Sequence, residues 1–256
     1  MKFKKLLLLV QRVVLSPAAF WRYVVHYARL YQYNDLLQFA GEEGSDKGSP
    51  GHNYVRVYDA FLRDRRDSVT HLCEIGLLRL GVQKQAPAEV YPKAPSLNMW
   101  RKYLPHTHLV GFDIQRFETP RGGNCTVIQG DQSSREDLQK IIKHHPEYDV
   151  IIDDALHASP HQQITLSYLF PHLKSGGLYF VEDLNGQPPE FEREGVPKTV
   201  EVLRKFASSG VWTSPLSTPE EKRALERGIH EIYFFESLRN RNPVVGVDTM
   251  AVIIKR

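Results

Sequence analysis

From Ser68 onward the chain alternates between short apolar runs and stretches of helical periodicity. The apolar runs Val69–Ile75, His108–Asp113, Cys125–Gln129, Asp149–Asp153 and Gly177–Glu182 predict strands. Between them, Ser96–Tyr103, Arg135–His144 and Pro160–Leu173 predict helices. Short apolar strands separated by helices form a parallel sheet covered on both faces. Two further strands, near Glu231–Glu236 and Thr249–Ile254, have no helix of any length between them. Their link, Ser237–Asp248, holds Asn240, Asn242, Pro243 and Gly246, so the pair is expected to be antiparallel. The predicted fold is therefore α/β and Rossmann-like, a seven-stranded sheet that is mostly parallel and ends in an antiparallel hairpin.

The pattern also divides the chain. Residues 1–43 read as a basic, helical N-terminal extension, and 44–256 as one large domain. Leu184–Arg227 is a long insert between the fifth and sixth strands, with a helix expected from Lys198 to Phe206, and reads as an insert or lid. In the extension, Lys2, Lys4, Lys5, Arg12, Arg22 and Arg29 all precede the first acid, Asp35. Gln11 and Arg12 interrupt its apolar stretch, which excludes a signal peptide, and the run is too short and charged to span a bilayer. Two readings stay open: a helix packed on the domain or on a second subunit, and an amphipathic segment touching anionic membrane.

Composition narrows the class. With 41% hydrophobic and 25% charged residues, the 256-residue chain is an ordinary globular protein with a sizeable core. Net charge is +3 with the signs mixed along most of the chain, so no nucleic-acid partner is expected. Cys73 and Cys125 fall in predicted strands without metal-ligand spacing and read as reduced core residues, which points to the cytoplasm.

Ligands of open α/β sheets bind beyond the carboxyl ends of the parallel strands. All five such ends carry an acid: Glu74, Asp113, Asp131, the pair Asp153-Asp154, and the pair Glu182-Asp183. One of these could simply cap a helix. Five at one rim repel one another unless a cation or hydrogen-bonding ligand is present. Asp113, at the end of the second strand, can accept two hydrogen bonds from a ribose diol. The first loop, Glu74-Ile75-Gly76-Leu77-Leu78-Arg79-Leu80-Gly81, lacks the glycine pattern of a dinucleotide site and puts an acid where pyrophosphate would be repelled. S-adenosylmethionine has no phosphate and carries a sulfonium and an amino group, so Glu74 fits that cofactor better. Asp154, Glu182 and Asp183 suit a hard cation such as Mg²⁺. His157, His161 and His230 are candidate bases near neutral pKa, with His161 and His172 equally readable as helix-surface residues.

The ordered motifs also resemble a known family. They run Ser45-Asp46-Lys47-Gly48, His52-x-Tyr54 with Tyr58, Glu74-Ile75-Gly76, Pro95–Trp100, Gly111-Phe112-Asp113, Gly130–Ser133, Ile152-Asp153-Asp154-x-x-His157 and Gly176–Leu184. Together they resemble class I S-adenosylmethionine-dependent methyltransferases, in particular the metal-dependent macrolide-sugar O-methyltransferases of the mycinamicin type. The resemblance implies methyl transfer to a hydroxyl of a sugar or glycoconjugate, with Mg²⁺ on Asp154, Glu182 and Asp183. It places cofactor contacts on Glu74, Gly76, Asp113 and Asp131, to which Ser45 and Lys47 of the first motif are added. The catalytic set is then His157, His230 and Asp154, and a homo-oligomer is expected. The leucine-filled loop Leu77-Leu78-Arg79 also permits a methyltransferase fold that acts only as a binding or scaffold protein. An oxygenase relative is disfavoured, because no two-histidine, one-carboxylate set is evident.

Overall fold

A computed structural model describes residues 17–48, 52–77, 90–91, 93–120, 123–237 and 248–256. The first sixteen residues, loop positions Leu78 to Gly81, and the turn residues Asn240, Asn242, Pro243 and Gly246 lie outside this set.

Seven strands form one sheet: β1 (His71–Ile75), β2 (His108–Asp113), β3 (Cys125–Gln129), β4 (Tyr148–Asp153), β5 (Leu173–Val181), β6 (Ile229–Glu236) and β7 (Thr249–Lys255). Their order is β3-β2-β1-β4-β5-β7-β6. β1 to β5 are mutually parallel, and β7 runs antiparallel to both β5 and β6. The order in which successive strands are added reverses between β1 and β4, the position where open α/β sheets open a crevice for ligands.

Eight helices of the described residues surround it: α1 (Pro17–Arg29), α2 (Asp35–Glu43), α3 (Val55–Leu62), α4 (Pro95–Tyr103), α5 (Arg135–His144), α6 (Ser159–Leu169), α7 (Thr199–Ser209) and α8 (Pro219–Gly228). Side-chain alternation splits the core into two layers. Leu72, Leu109, Val150, Ile152, Leu178 and Phe180 face one layer, where α1 to α4 supply Tyr23, Leu36, Tyr58 and Trp100. Cys73, Ile75, Val110, Ile151, Tyr179 and Val181 face the other, with Leu138, Leu166, Leu203, Trp212 and Leu225.

Local signals place the helix ends. The Asn34 side chain accepts a hydrogen bond from the Leu37 amide at 2.7 Å and starts α2, and Gly44 ends it in the left-handed region. Thr218 and Glu221 form a reciprocal capping box that starts α8, a helix the apolar pattern alone did not indicate. The insert's second half is thus helical and built into the core through Val202, Leu203, Trp212 and Leu225. β5 begins earlier than the expected Gly177. Leu173 pairs with Tyr148, and the register then shifts before Val150 meets Leu178.

A row of backbone hydrogen bonds aligns the carboxyl ends. Gly76 N–H donates to Phe112 O, Asp154 N–H to Ile75 O, and Glu182 N–H to Asp153 O, at 2.8, 2.8 and 2.9 Å. Gly76 is in the left-handed region, φ 90°, and a Cβ there would collide with the carbonyl of Asp154. Only glycine lets the end of β1 pack this closely on the end of β4.

Candidate active site

The acids at the ends of β4 and β5 meet in one small pocket, lined by Asp46, Lys47, His52, Asp154, His157, Glu182 and Asp183. Asp154, His157 and Asp183 each direct a ligand atom to a common point, with these atoms within 4.8 Å of one another. His157 Nε2 lies 3.6 Å from Asp183 and 3.9 Å from Asp154. Both His157 (φ 63°) and Asp183 (φ 51°) hold a left-handed backbone, which is costly for residues other than glycine. Such strain concentrates at sites where side-chain aim matters more than stability.

One cation already serves this cluster. Lys47, in the loop before α3, is buried, and its ammonium bridges Asp154, Glu182 at 2.8 Å and Glu74 at 3.2 Å. Burial works against that charge, but Asp154, Glu182 and Glu74 outweigh it and hold the lysine well above its ordinary value. Two tyrosines one helical turn apart reach the adjacent acids. Tyr54 O–H donates to Asp183 Oδ1 at 2.9 Å, and Tyr58 O–H donates to Glu182 Oε1. The loop is tied to α3 by the Val55 amide, which donates to Lys47 O at 3.1 Å.

Even so, the acids outnumber their partners. Burial, then Glu182 and Asp248, pushes Asp183 up to about 8. Burial and Glu182 likewise raise Asp154. Burial also raises Asp153 to about 7, although Gln132 donates to it at 2.7 Å. His157 moves the other way. Burial first, then the Lys47 charge, lowers it to about 4, so its ring is neutral at neutral pH. Its Nδ1 is buried without a hydrogen-bond partner. Oxygen donors, excess negative charge and a neutral imidazole together fit a hard divalent cation.

Other expected site residues divide. Asp113 lies at the end of β2, and its Oδ2 accepts from the Leu77 amide at 2.7 Å, which pins the loop after β1. Asp131 accepts from Ser133 N and Oγ at 2.7 and 2.8 Å, an Asx turn after β3. Ser45 is buried with an unpartnered hydroxyl. The Lys47 ammonium points into the acid cluster, between Glu74, Asp154 and Glu182. His230 corrects an expectation. It sits at the start of β6, which runs parallel to β5, so it belongs to the opposite end of the sheet from the rim. There it is half exposed, 3.7 Å from Glu231. His161, in the first turn of α6, packs edge-on against Phe191.

His52, Tyr54, Tyr58 and Asp248 were not picked out as functional from the sequence. His52 Nδ1 lies 3.5 Å from Asp183, and Asp248 joins the same group. The signal for the first three was their spacing in His52-x-Tyr54 and Tyr58, which places them around one helix start.

No family model matches the chain. It is similar to L-olivosyl-oleandolide 3-O-methyltransferase of Streptomyces antibioticus, 32% identical over 162 residues that cover 62% of this chain and 40% of that one. It is also similar to mycinamicin VI 2''-O-methyltransferase of Micromonospora griseorubida, 33% identical over 152 residues, 59% of this chain and 36% of that one. The chain thus matches well under half the length of these relatives. Among solved structures, the MycE methyltransferase of the mycinamycin pathway, in complex with Mg and SAH, superposes with a TM-score of 0.66 at 24% identity. That match covers 88% of this chain and 55% of the other. With its strand order, antiparallel terminal hairpin and acid-lined rim, the chain has the class I methyltransferase fold and is similar in sequence to sugar O-methyltransferases of macrolides.

Proposed function

We propose that this chain transfers a methyl group from S-adenosylmethionine to a hydroxyl of a sugar or glycoconjugate, with Mg²⁺ held by Asp154, Glu182 and Asp183. The observation that carries this reading is the convergence of Asp154, His157 and Asp183 beside the end of β1, in a pocket that Glu182 also lines. The acceptor class rests on the relatives, whose names describe methylation of glycosylated macrolides.

Each residue then has a task. Asp113, Gly76 and Asp131 border the cofactor side, with Asp113 placed for a ribose diol. Lys47 engages one oxygen of Asp154 and one of Glu182, leaving Asp154 Oδ1 and Asp183 Oδ2 turned toward His157. Tyr54 and Tyr58 fix the carboxylates of Asp183 and Glu182. When bound, Mg²⁺ would orient the acceptor hydroxyl and make it more acidic. His157, neutral and flanked by the acids, accepts the hydroxyl proton at Nε2. The front of the insert, 185–197, reaches the start of α6. Its Glu192 accepts from the Ser159 amide at 2.8 Å and so anchors to the start of α6.

Calorimetric titration with S-adenosylhomocysteine and Mg²⁺ tests the proposal. Binding of both, with the Mg²⁺ heat lost in Asp154→Asn, is the expected result. Binding of neither overturns it and leaves the scaffold reading.

A further inference from the structure

Four histidines gather at the edge of the sheet opposite the rim. His71 and His108 open β1 and β2 and are paired neighbours in the sheet. They stand two residues before Cys73 and Val110, so they face the same layer, where Leu138 and Ile141 of α5 pack. That packing lays the last turn of α5 over the strand starts. His144 ends the helix and His145 caps it. The His145 ring stacks on His71 at 3.5 Å, and Tyr148 meets both rings edge-on.

His108 and His144 meet through their nitrogens. His144 Nε2 lies 3.2 Å from His108 Nε2, and Thr126 Oγ1 lies 3.3 Å from the same His108 atom. Two neutral rings share one proton across such a gap. A metal ion fits it as well. Zinc–nitrogen bonds of roughly 2.0–2.1 Å at tetrahedral angles set neighbouring ligand nitrogens about 3.4 Å apart, close to the spacing found. His144 is exposed and His108 half-buried, so an ion can enter from solvent. Burial first, then the neighbouring histidines, lowers His71 and His108 below their ordinary values, so both rings are uncharged at neutral pH, as ligands must be. Lys174, which also acts on His71, is held by Asp149 at 3.0 Å. The carbonyl end of α5 favours positive charge at this place.

We propose that His108 and His144 together bind one divalent transition ion of the zinc class, which clamps the end of α5 to the start of β2. The ring that donates across the gap moves its proton to Nδ1. Both Nε2 lone pairs then reach the ion, and no net proton is released. Water fills the remaining positions, and the His71 ring, centred 5.9 Å from that of His108, stands beside them. An imidazole pair selects zinc, nickel or copper over Mg²⁺, which prefers oxygen. The site differs from the acid-lined rim in place and in metal, and it is independent of the methyl-transfer reading.

Equilibrium dialysis of the untagged full chain against Zn²⁺, with Mg²⁺ in large excess, tests it. The expected result is a bound zinc that His144→Ala releases and Asp154→Asn retains. Zinc at about a hundredfold over its dissociation constant should raise the thermal midpoint by about 5–10 °C. His144→Ala should weaken binding about 100-fold, since a ligand matters at least as much as the groups that orient one. Its change lies at an exposed helix end, so the metal-free midpoint should stay at the parental value. His108→Ala should lose the same zinc, and Lys143→Ala, at the exposed neighbour, should keep it. No bound zinc, or binding that stays complete in His144→Ala, overturns the proposal. So does zinc that only Asp154→Asn releases, which belongs to the rim.

Discussion

The two ends of strand β4 carry aspartates in opposite circumstances. Asp149, near its start, accepts from Thr70 N, Thr70 Oγ1 and His71 N at 2.9, 2.8 and 2.9 Å, and from Lys174 at 3.0 Å. Burial would raise its carboxyl, but these donors outweigh burial and hold it below its ordinary range. Asp154, just past the other end, shares a single lysine with Glu182 and Glu74, and burial beside Glu182 holds it high. The first acid is satisfied by its own fold. The second is left with more negative charge around it than Lys47 alone offsets.

Substitutions at the rim carry the largest expected effects. Asp183→Asn or Asp154→Asn should lower methyl transfer roughly 10³-fold, about 4 kcal/mol, with thermal stability unchanged or raised, as kinetics and calorimetry would show. A stability loss in these variants would make the rim acids structural like Asp149. His157→Ala should cost about 10²–10⁴ in rate, read in kcat, with Mg²⁺ binding retained. Lys47→Met should cost about 3–5 kcal/mol in denaturant unfolding, because it strands buried charge without a partner. Lowering the pH should return part of that loss by protonating the acids.

Asp149→Ala should cost about 1–3 kcal/mol, since two backbone amides lose their acceptor, while Mg²⁺ affinity stays at the parental value. Without metal, stability should also depend on pH. Asp153 at about 7 and Asp183 at about 8 keep protons in the folded state that the unfolded chain has already released. Their contribution is complete below the ordinary aspartate range and is lost as pH rises toward 8, so the thermal midpoint should fall across that window. Mg²⁺ should flatten the fall, because it favours the ionised acids. Smallest of all, His230→Ala at the far end of the sheet should leave activity within experimental error.

The sheet was legible because period and length are local properties. Runs such as His108–Asp113 and Cys125–Gln129 are strands with the expected bounds. The acids at the strand ends were legible for the same reason, since a parallel sheet sends all its carboxyl ends to one edge. α8 was hidden by its polar sequence, PEEKRALERG, and showed only in its capping residues. His230 looked close to the site because it precedes a strand, but β6 reaches the rim with its last residue and not its first.

The alternating α/β order, the antiparallel end and the row of acids all follow from hydrophobic period and chain direction. Which charges meet depends on how the elements pack. Lys47 lies 107 residues from Asp154 and 135 from Glu182, and no spacing rule links them. Their contact depends on α3 packing over the ends of β4 and β5, which brings Tyr54, Tyr58 and Lys47 onto acids from distant strands. Long-range electrostatic pairing is a property of packed surfaces, and a local pattern cannot encode it.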